Sequence, residues 1–242
     1  VKDVPNLGMR GDRFYEPFKL SGEWVDYSGS VMAIDPSGRG ADETSYAVIK
    51  MLNGFLYCPD VGGVEGGYSN KTLETLVDIA KTNNVNYVLV ESNFGDGMFS
   101  ELIKPYFSKE YPVTLEEVRH SKQKELRIID TLEPVMNQHK LVIDREVIQK
   151  DYDSIQKYPN DVAQRYSLFY QLTRITKDRG ALAHDDRLDA LSMAVAYWVE
   201  QMASDADEQM RERHSDMLDK ELDKFLGNLN TSSEKVSHNS WI

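Results

Sequence analysis

Eight consecutive residues, His184-Asp185-Asp186-Arg187-Leu188-Asp189-Ala190-Leu191, set three carboxylates at the start of a long apolar-periodic stretch. Two further acids close apolar runs: Asp35 after Ser30-Val31-Met32-Ala33-Ile34, and Glu91 after Tyr87-Val88-Leu89-Val90. Clustered carboxylates repel one another unless divalent cations neutralise them, and oxygen-only ligands without cysteine suit Mg2+ or Mn2+. Two such ions, about 3.5 to 4 Å apart, can activate a water and stabilise the leaving oxygen of a phosphodiester. If Asp35, Glu91 and the helix-start acids meet at one edge of a sheet, the chemistry is that of a nuclease. If they do not, the cluster is a charged helix start.

Each residue also has a plainer role to set against this one. Asp35 precedes Pro36-Ser37-Gly38-Arg39-Gly40 and suits a turn, whereas Glu is a poor turn former and Glu91 is out of place after four apolar residues. Asp185 and Asp186 suit an N-cap and the positive end of a helix dipole. Asp189, three residues after Asp186, shares its helix face and is the acid least explained by capping. His184 reads as a ligand, a proton carrier or simply the residue before the cap.

The most cationic short stretch is Ser121-Lys122-Gln123-Lys124-Glu125-Leu126-Arg127. It is either a solvated face or a phosphate contact. On the second reading Lys122, Lys124 and Arg127 touch DNA, joined by Lys177 and Arg179 on a loop before Gly180. The Gly-rich Gly62-Gly63-Val64-Glu65-Gly66-Gly67 has no Lys, and no phosphate-binding loop of nucleotide hydrolases is present. His120, His139, His214 and His238 lack metal-site spacing.

The elements that must carry these residues follow from period and punctuation. Ser30–Asp35 reads as a strand buried on both faces; 44–51 and 55–61 read as two more, joined by the hairpin pair Asn53-Gly54. Helical spacing predicts 70–83, with Asn70 as N-cap and Asn83-Asn84 as stop. Then come a strand over 87–91, a helix over 98–107, a strand over 113–118, a helix from Ser121 through Met136, and a short strand over 141–143. Residues 144–158 suit a helix, 167–175 a strand or hairpin reaching away from the core, and the acid-rich stretch opens a helix running to about Met202. The order is βββαβαβα with more helix after, an α/β fold with a mixed sheet of three antiparallel strands and then parallel ones.

The 242 residues, 40% hydrophobic, suit one globular domain with tails. Residues 1–28 read as a lead-in, with Phe14, Tyr15, Phe18 and Trp24 docking on a domain over 29–203. Residues 204–242 read as an acidic tail, partly helical and then disordered, with Trp241-Ile242 as a docking point. The net charge of −12 excludes capture of nucleic acid by the molecule as a whole. A single cysteine, Cys58, excludes internal disulfides and fits a reducing cytoplasm. No apolar run is long enough for a membrane span, about 18 to 20 residues. The start, Val1-Lys2-Asp3-Val4-Pro5, is unlike a signal peptide and reads as a piece of a longer chain.

Three stretches taken together, Val31 through Thr44, Val88-Leu89-Val90-Glu91-Ser92-Asn93, and Ala183 through Leu191, resemble the nuclease domain of the large terminase subunit of tailed bacteriophages, most closely the T-seven-like short-tailed type. The resemblance spans roughly residues 28–203. It implies an RNase H-like fold, a two-metal Mg2+ or Mn2+ endonuclease, and cutting of concatemeric viral DNA during packaging into procapsids. Asp35 becomes the first-strand acid bridging both ions and Glu91 the acid of the second motif. For the third motif Asp186 is favoured, with Asp189 next, and either Asp185 or Asp186 facing the metals.

The resemblance further implies double-stranded DNA, an ATPase motor domain of the same parent chain, the portal or procapsid and the small terminase subunit as partners. It implies no membrane, and a site of action in the host cytoplasm, transiently at the portal. A Holliday-junction resolvase, an RNase H and a non-catalytic interaction module are the alternatives.

Overall fold

A computed structural model describes residues 3–9, 11–16, 25–37, 42–92 and 97–233, with side chains as far as 222. Contacts divide the chain into Val1–Trp198 and Val199–Ile242. The first unit opens on a two-stranded antiparallel hairpin, β1 (Asp3–Pro5) and β2 (Arg13–Tyr15). The lead-in therefore has regular structure that its irregular composition does not announce. Phe14 docks as expected, its ring 4.9 Å from that of Phe169, but Tyr15 is exposed. Phe18 and Trp24 lie outside the described residues.

Three antiparallel strands follow: β3 (Gly29–Asp35), β4 (Thr44–Leu52) and β5 (Phe55–Val64). Asn53 and Gly54 both take positive φ, 53° and 77°, as a two-residue turn matched to strand twist requires. Helix α1 (Asn70–Thr82) then crosses to β6 (Tyr87–Glu91). Its cap is Ser69, which accepts from the Thr72 amide, and not Asn70 as expected; it stops at Asn83. Helix α2 (Met98–Glu110) leads to β7 (Thr114–Val118), and α3 (Lys124–Asn137) to β8 (Leu141–Ile143).

The six strands lie in the order β7-β6-β3-β4-β5-β8. β3 runs parallel to β6, β6 to β7 and β5 to β8. The expected mixed sheet is thus present. In β3 and β6 every residue between the ends is buried, which is why their sequences are continuous apolar runs without alternation. One face packs Met32, Ile34, Val88 and Val90 against Leu73, Leu76 and Val77 of α1 and Phe99, Ile103 and Phe107 of α2. Because β3 and β6 are parallel neighbours with Ile34 beside Val90, Asp35 and Glu91 leave the sheet at the same end.

Beyond β8, α4 (Arg145–Ser154) is capped by Asp144, and a 3-10 turn (Ala163–Tyr166) precedes α5 (Leu168–Arg174). The strand or hairpin expected over 167–175 is a helix packed into the protein. Ser167 accepts from the Tyr170 amide as its N-cap, and Leu168, Phe169 and Gln171 are buried. Adjacent buried residues followed by one two or three positions on fit a helix face, and the apparent alternation misled. Helix α6 (Asp186–Ser233) closes the described chain. Leu188, Ala190, Leu191, Met193, Ala194 and Val195 are buried, and the Trp198 indole N–H donates to the Ile49 carbonyl at 3.1 Å. In the second unit the helix continues well past Met202, with exposed side chains from Ala203 to Leu222. The tail end with Trp241 and Ile242 lies outside the described residues. No described helix is long and apolar enough to cross a membrane.

Candidate metal centre

The last residue of β3, the last residue of β6 and the first turn of α6 converge. One carboxylate oxygen from each of Asp35, Glu91 and Asp189 falls within 4.8 Å of the others. Parallel pairing brings the first two together, and the apolar stripe of α6 against the sheet brings Asp189. The Asp189 side chain is 1% exposed and those of Asp35 and Glu91 are 12% and 10% exposed. Three carboxylates this close and this dry cannot all carry charge without nearby positive charge.

Two cations on α3 supply part of it. The Lys124 ammonium lies 2.8 Å from Asp185, 3.0 Å from Asp189 and 3.7 Å from Asp35. Arg127 lies 2.7 Å from Asp189 and 3.8 Å from Glu91. Burial drives the Asp35 carboxyl well above the usual carboxylate range; Lys124 opposes this, while Asp189 and Glu91 add to it. Burial also raises Glu91, with Asp189 adding to the effect. For Lys124 burial acts downward, but Asp189, Asp35 and Asp185 outweigh it and hold the ammonium pKa up.

The donor set fits a divalent cation. It is all oxygen, with a fourth carboxylate, Asp185, one ammonium away. Among the described residues the buried Oδ2 of Asp35 has no hydrogen-bond partner and faces the Lys124 ammonium at 3.7 Å, which leaves its lone pairs free for a cation.

Of the helix-start acids, Asp189 joins the three-carboxylate group and Asp186, first in the sequence ranking, is not in it. Asp186 is half-buried; burial lifts its carboxyl to about 6, against the pull of Lys124 and with Asp185 and Asp42 adding. The carbonyl of Asp185 accepts the Asp189 amide at 2.8 Å, the first helical bond. His184 lies 3.7 Å from Asp42 and stacks on Tyr166, which stacks on Tyr158. Lys124 and Arg127, read from sequence as DNA contacts, pair with the site's own acids. Lys122, Lys177 and Arg179 are exposed, and their two segments touch: Gln123 donates to the Lys177 carbonyl, and the Gly180 amide to Glu125.

Sequence reasoning missed one network altogether. Arg187, fully buried, forms a bidentate pair with Glu43 (2.6 and 2.9 Å) and bonds Asp151 at 2.7 Å. The available signals were an arginine inside an apolar helix start and a glutamate directly before a buried strand.

Residues 34–141 match the family model "Terminase Bacteriophage T7, Ribonuclease H-like domain". The chain is also 47% identical over 205 residues to the large terminase subunit of Enterobacteria phage T3, covering 85% of this chain and 35% of that protein. The chain carries a terminase RNase H-like domain of the T7 type. It spans about a third of the length of the curated relative it matches.

The terminase domain also resembles the nuclease domain of the large terminase subunit of bacterial virus Sf6. The TM-score is 0.50 at 15% identity, covering 71% of this chain and 90% of that one. A point variant of the Sf6 domain solved with calcium matches at TM-score 0.50 and 16% identity, with the same coverage. These likenesses bear on the fold alone, which is RNase H-like. The family match over 34–141 contains Asp35 and Glu91 but stops short of Asp189, so the third carboxylate rests on geometry.

Proposed function

We propose that this terminase domain is a Mg2+- or Mn2+-dependent DNA endonuclease that hydrolyses phosphodiesters with two ions and cuts concatemeric viral DNA during packaging into procapsids. The observation that carries the reading is the meeting of Asp35, Glu91 and Asp189 within 4.8 Å at the carboxyl end of two parallel strands. Asp35, Glu91 and Asp189 hold the ions, with Asp185 and Asp186 in reach of an outer position. Two divalent ions held by these carboxylates would supply the Lewis acidity that activates a water and stabilises the leaving oxygen of a phosphodiester. Lys124, between Asp35, Asp185 and Asp189, keeps the site neutral enough to fold and gives way when divalent charge arrives. Arg127, partly buried beside Asp189 and Glu91, holds both carboxylates in place.

Exposed Lys122, Lys177 and Arg179 border the site and meet the DNA backbone, a local patch on an acidic chain. The lead-in over 1–28 joins a preceding ATPase motor domain of the parent chain, residues 29–203 cut, and 204–242 face the portal or procapsid, with the small terminase subunit as a further partner in the host cytoplasm. The test is plasmid cleavage with Mn2+. EDTA-sensitive nicking and linearisation are expected, lost in Asp35→Ala; metal-independent cleavage, or a variant that cuts like the parent, contradicts the reading.

A further inference from the structure

We propose that Arg187 is the positioning residue of the metal centre: paired with Glu43 and Asp151, it fixes the rotation and depth of the first turn of α6 and so the place of the Asp189 carboxylate. This inference rests on the reading of Asp35, Glu91 and Asp189 as a divalent-cation site.

Arg187 stands two residues before Asp189 on the same helical turn, and its side chain is 0% exposed. All three nitrogens of its planar fork donate. Nε and Nη2 donate to the two oxygens of Glu43, and Nη1 donates to Asp151 at 2.7 Å and to Ser154 at 2.8 Å. A bidentate pair fixes direction as well as distance, which an ammonium on a flexible stem does not. Replacing a buried ionic cluster with apolar side chains is often neutral for stability, so stability alone is a weak reason for one here.

The partners tie α6 to the other acids. Glu43 immediately precedes Thr44, whose hydroxyl accepts the Ser37 amide two residues after Asp35. The same anchor therefore touches the turn that carries Asp35 and the helix that carries Asp189. Asp151 is held in turn by Ser167 at 2.6 Å and the Leu168 amide at 3.0 Å.

The Leu188 amide, one of the donors a helix start leaves without an internal partner, goes to the Gln171 side chain at 3.0 Å. Gln171 thus caps in place of an aspartate, which leaves the helix-start acids for the site. From the other side, Tyr158 donates to Glu43 at 3.2 Å and begins the Tyr158–Tyr166–His184 stack, ending one residue before Asp185. Glu43 holds the start of α6 through both routes.

The experiment compares the full chain with its Arg187→Lys and Glu43→Gln variants by Mn2+ calorimetry and by the Mn2+ dependence of plasmid cleavage, with circular dichroism as the control for folding. Half-saturating Mn2+ is expected to rise by roughly 10–100-fold, the effect typical of groups that orient metal ligands, while cleavage recovers towards the parent rate at saturating Mn2+. A merely structural role would lower the melting temperature and leave the Mn2+ dependence unchanged; that result in either folded variant overturns the inference. Loss of fold in both variants also overturns it, since the network would then hold the fold rather than the site. A parent that binds no Mn2+ overturns the metal-site reading and this inference together. A parent that binds it, with variants to match, overturns this inference alone.

Discussion

Asp189→Asn and Asp186→Asn separate the two acids that share a helix face. Asp189 is within ligand distance of Asp35 and Glu91, whereas Asp186 is not part of that group. Asp189→Asn is expected to reduce Mn2+-dependent cleavage by more than the roughly 10–100-fold typical of a lost orienting partner, and Asp186→Asn by less. Rate measurements at saturating Mn2+ decide the order.

Asp186 contributes to the pH dependence of stability, beside the raised Asp35 and Glu91. The folded pKa of Asp186, about 6, stands above the ordinary 3.8, so between those values the folded state keeps a proton that the unfolded chain has released. Its ionisation therefore costs stability progressively as pH rises from about 4 to 6, and the cost is absent below that window. Denaturant titrations of metal-free Asp186→Asn should run above the parent by about 1–2 kcal/mol at pH 7 after allowance for solvent screening, and converge with it near pH 4. Lys124→Ala removes the ammonium that faces Asp35, Asp185 and Asp189. It should lower the metal-free melting temperature and tighten Mn2+ binding in calorimetry, because the cation no longer competes.

At the scale of elements, the junction of β5 with the segment before β4 is the most exacting. A Cβ at Gly63 would land inside the Glu43 carboxyl, so Gly63→Ala must displace the partner of buried Arg187. Breaking a buried pair on one side costs about 3–5 kcal/mol, and thermal melts of Gly63→Ala should show a loss of that size. The positions of Asp35 and Glu91 were legible because a buried parallel strand leaves a continuous apolar run, and an acid at its end stands out. Which helix-start acid faces them was not. Asp186 and Asp189 share a face at i, i+3, and the rotation that selects one is set where Arg187 meets Glu43, 144 residues away in sequence. Helix α5 was misread for a related reason, since its burial depends on partners such as Phe14 and Asp151 that no local pattern reveals.

For the whole molecule, charge and extent matter most. On a chain of net charge −12, the exposed cations Lys122, Lys177 and Arg179 form the local patch proposed to meet phosphates. DNA binding by this chain should be weak without divalent ions and fall only gently with salt, because the slope of log affinity against log salt is about −0.9 per phosphate contact. The side chains from Ala203 to Leu222 are exposed, so a chain ending at residue 203 should keep the parent's melting temperature and Mn2+ affinity. That outcome would also support the division at 203 read from the change in composition.

Asp35, Glu91 and Asp189 are proposed to share divalent cations. Anomalous diffraction from crystals soaked in Mn2+ tests this most directly. Manganese peaks within ligand distance of Asp35, Glu91 and Asp189 are expected, with the Lys124 ammonium moved aside. Manganese absent from these carboxylates, with Lys124 still seated among them at saturating metal, would contradict the proposal.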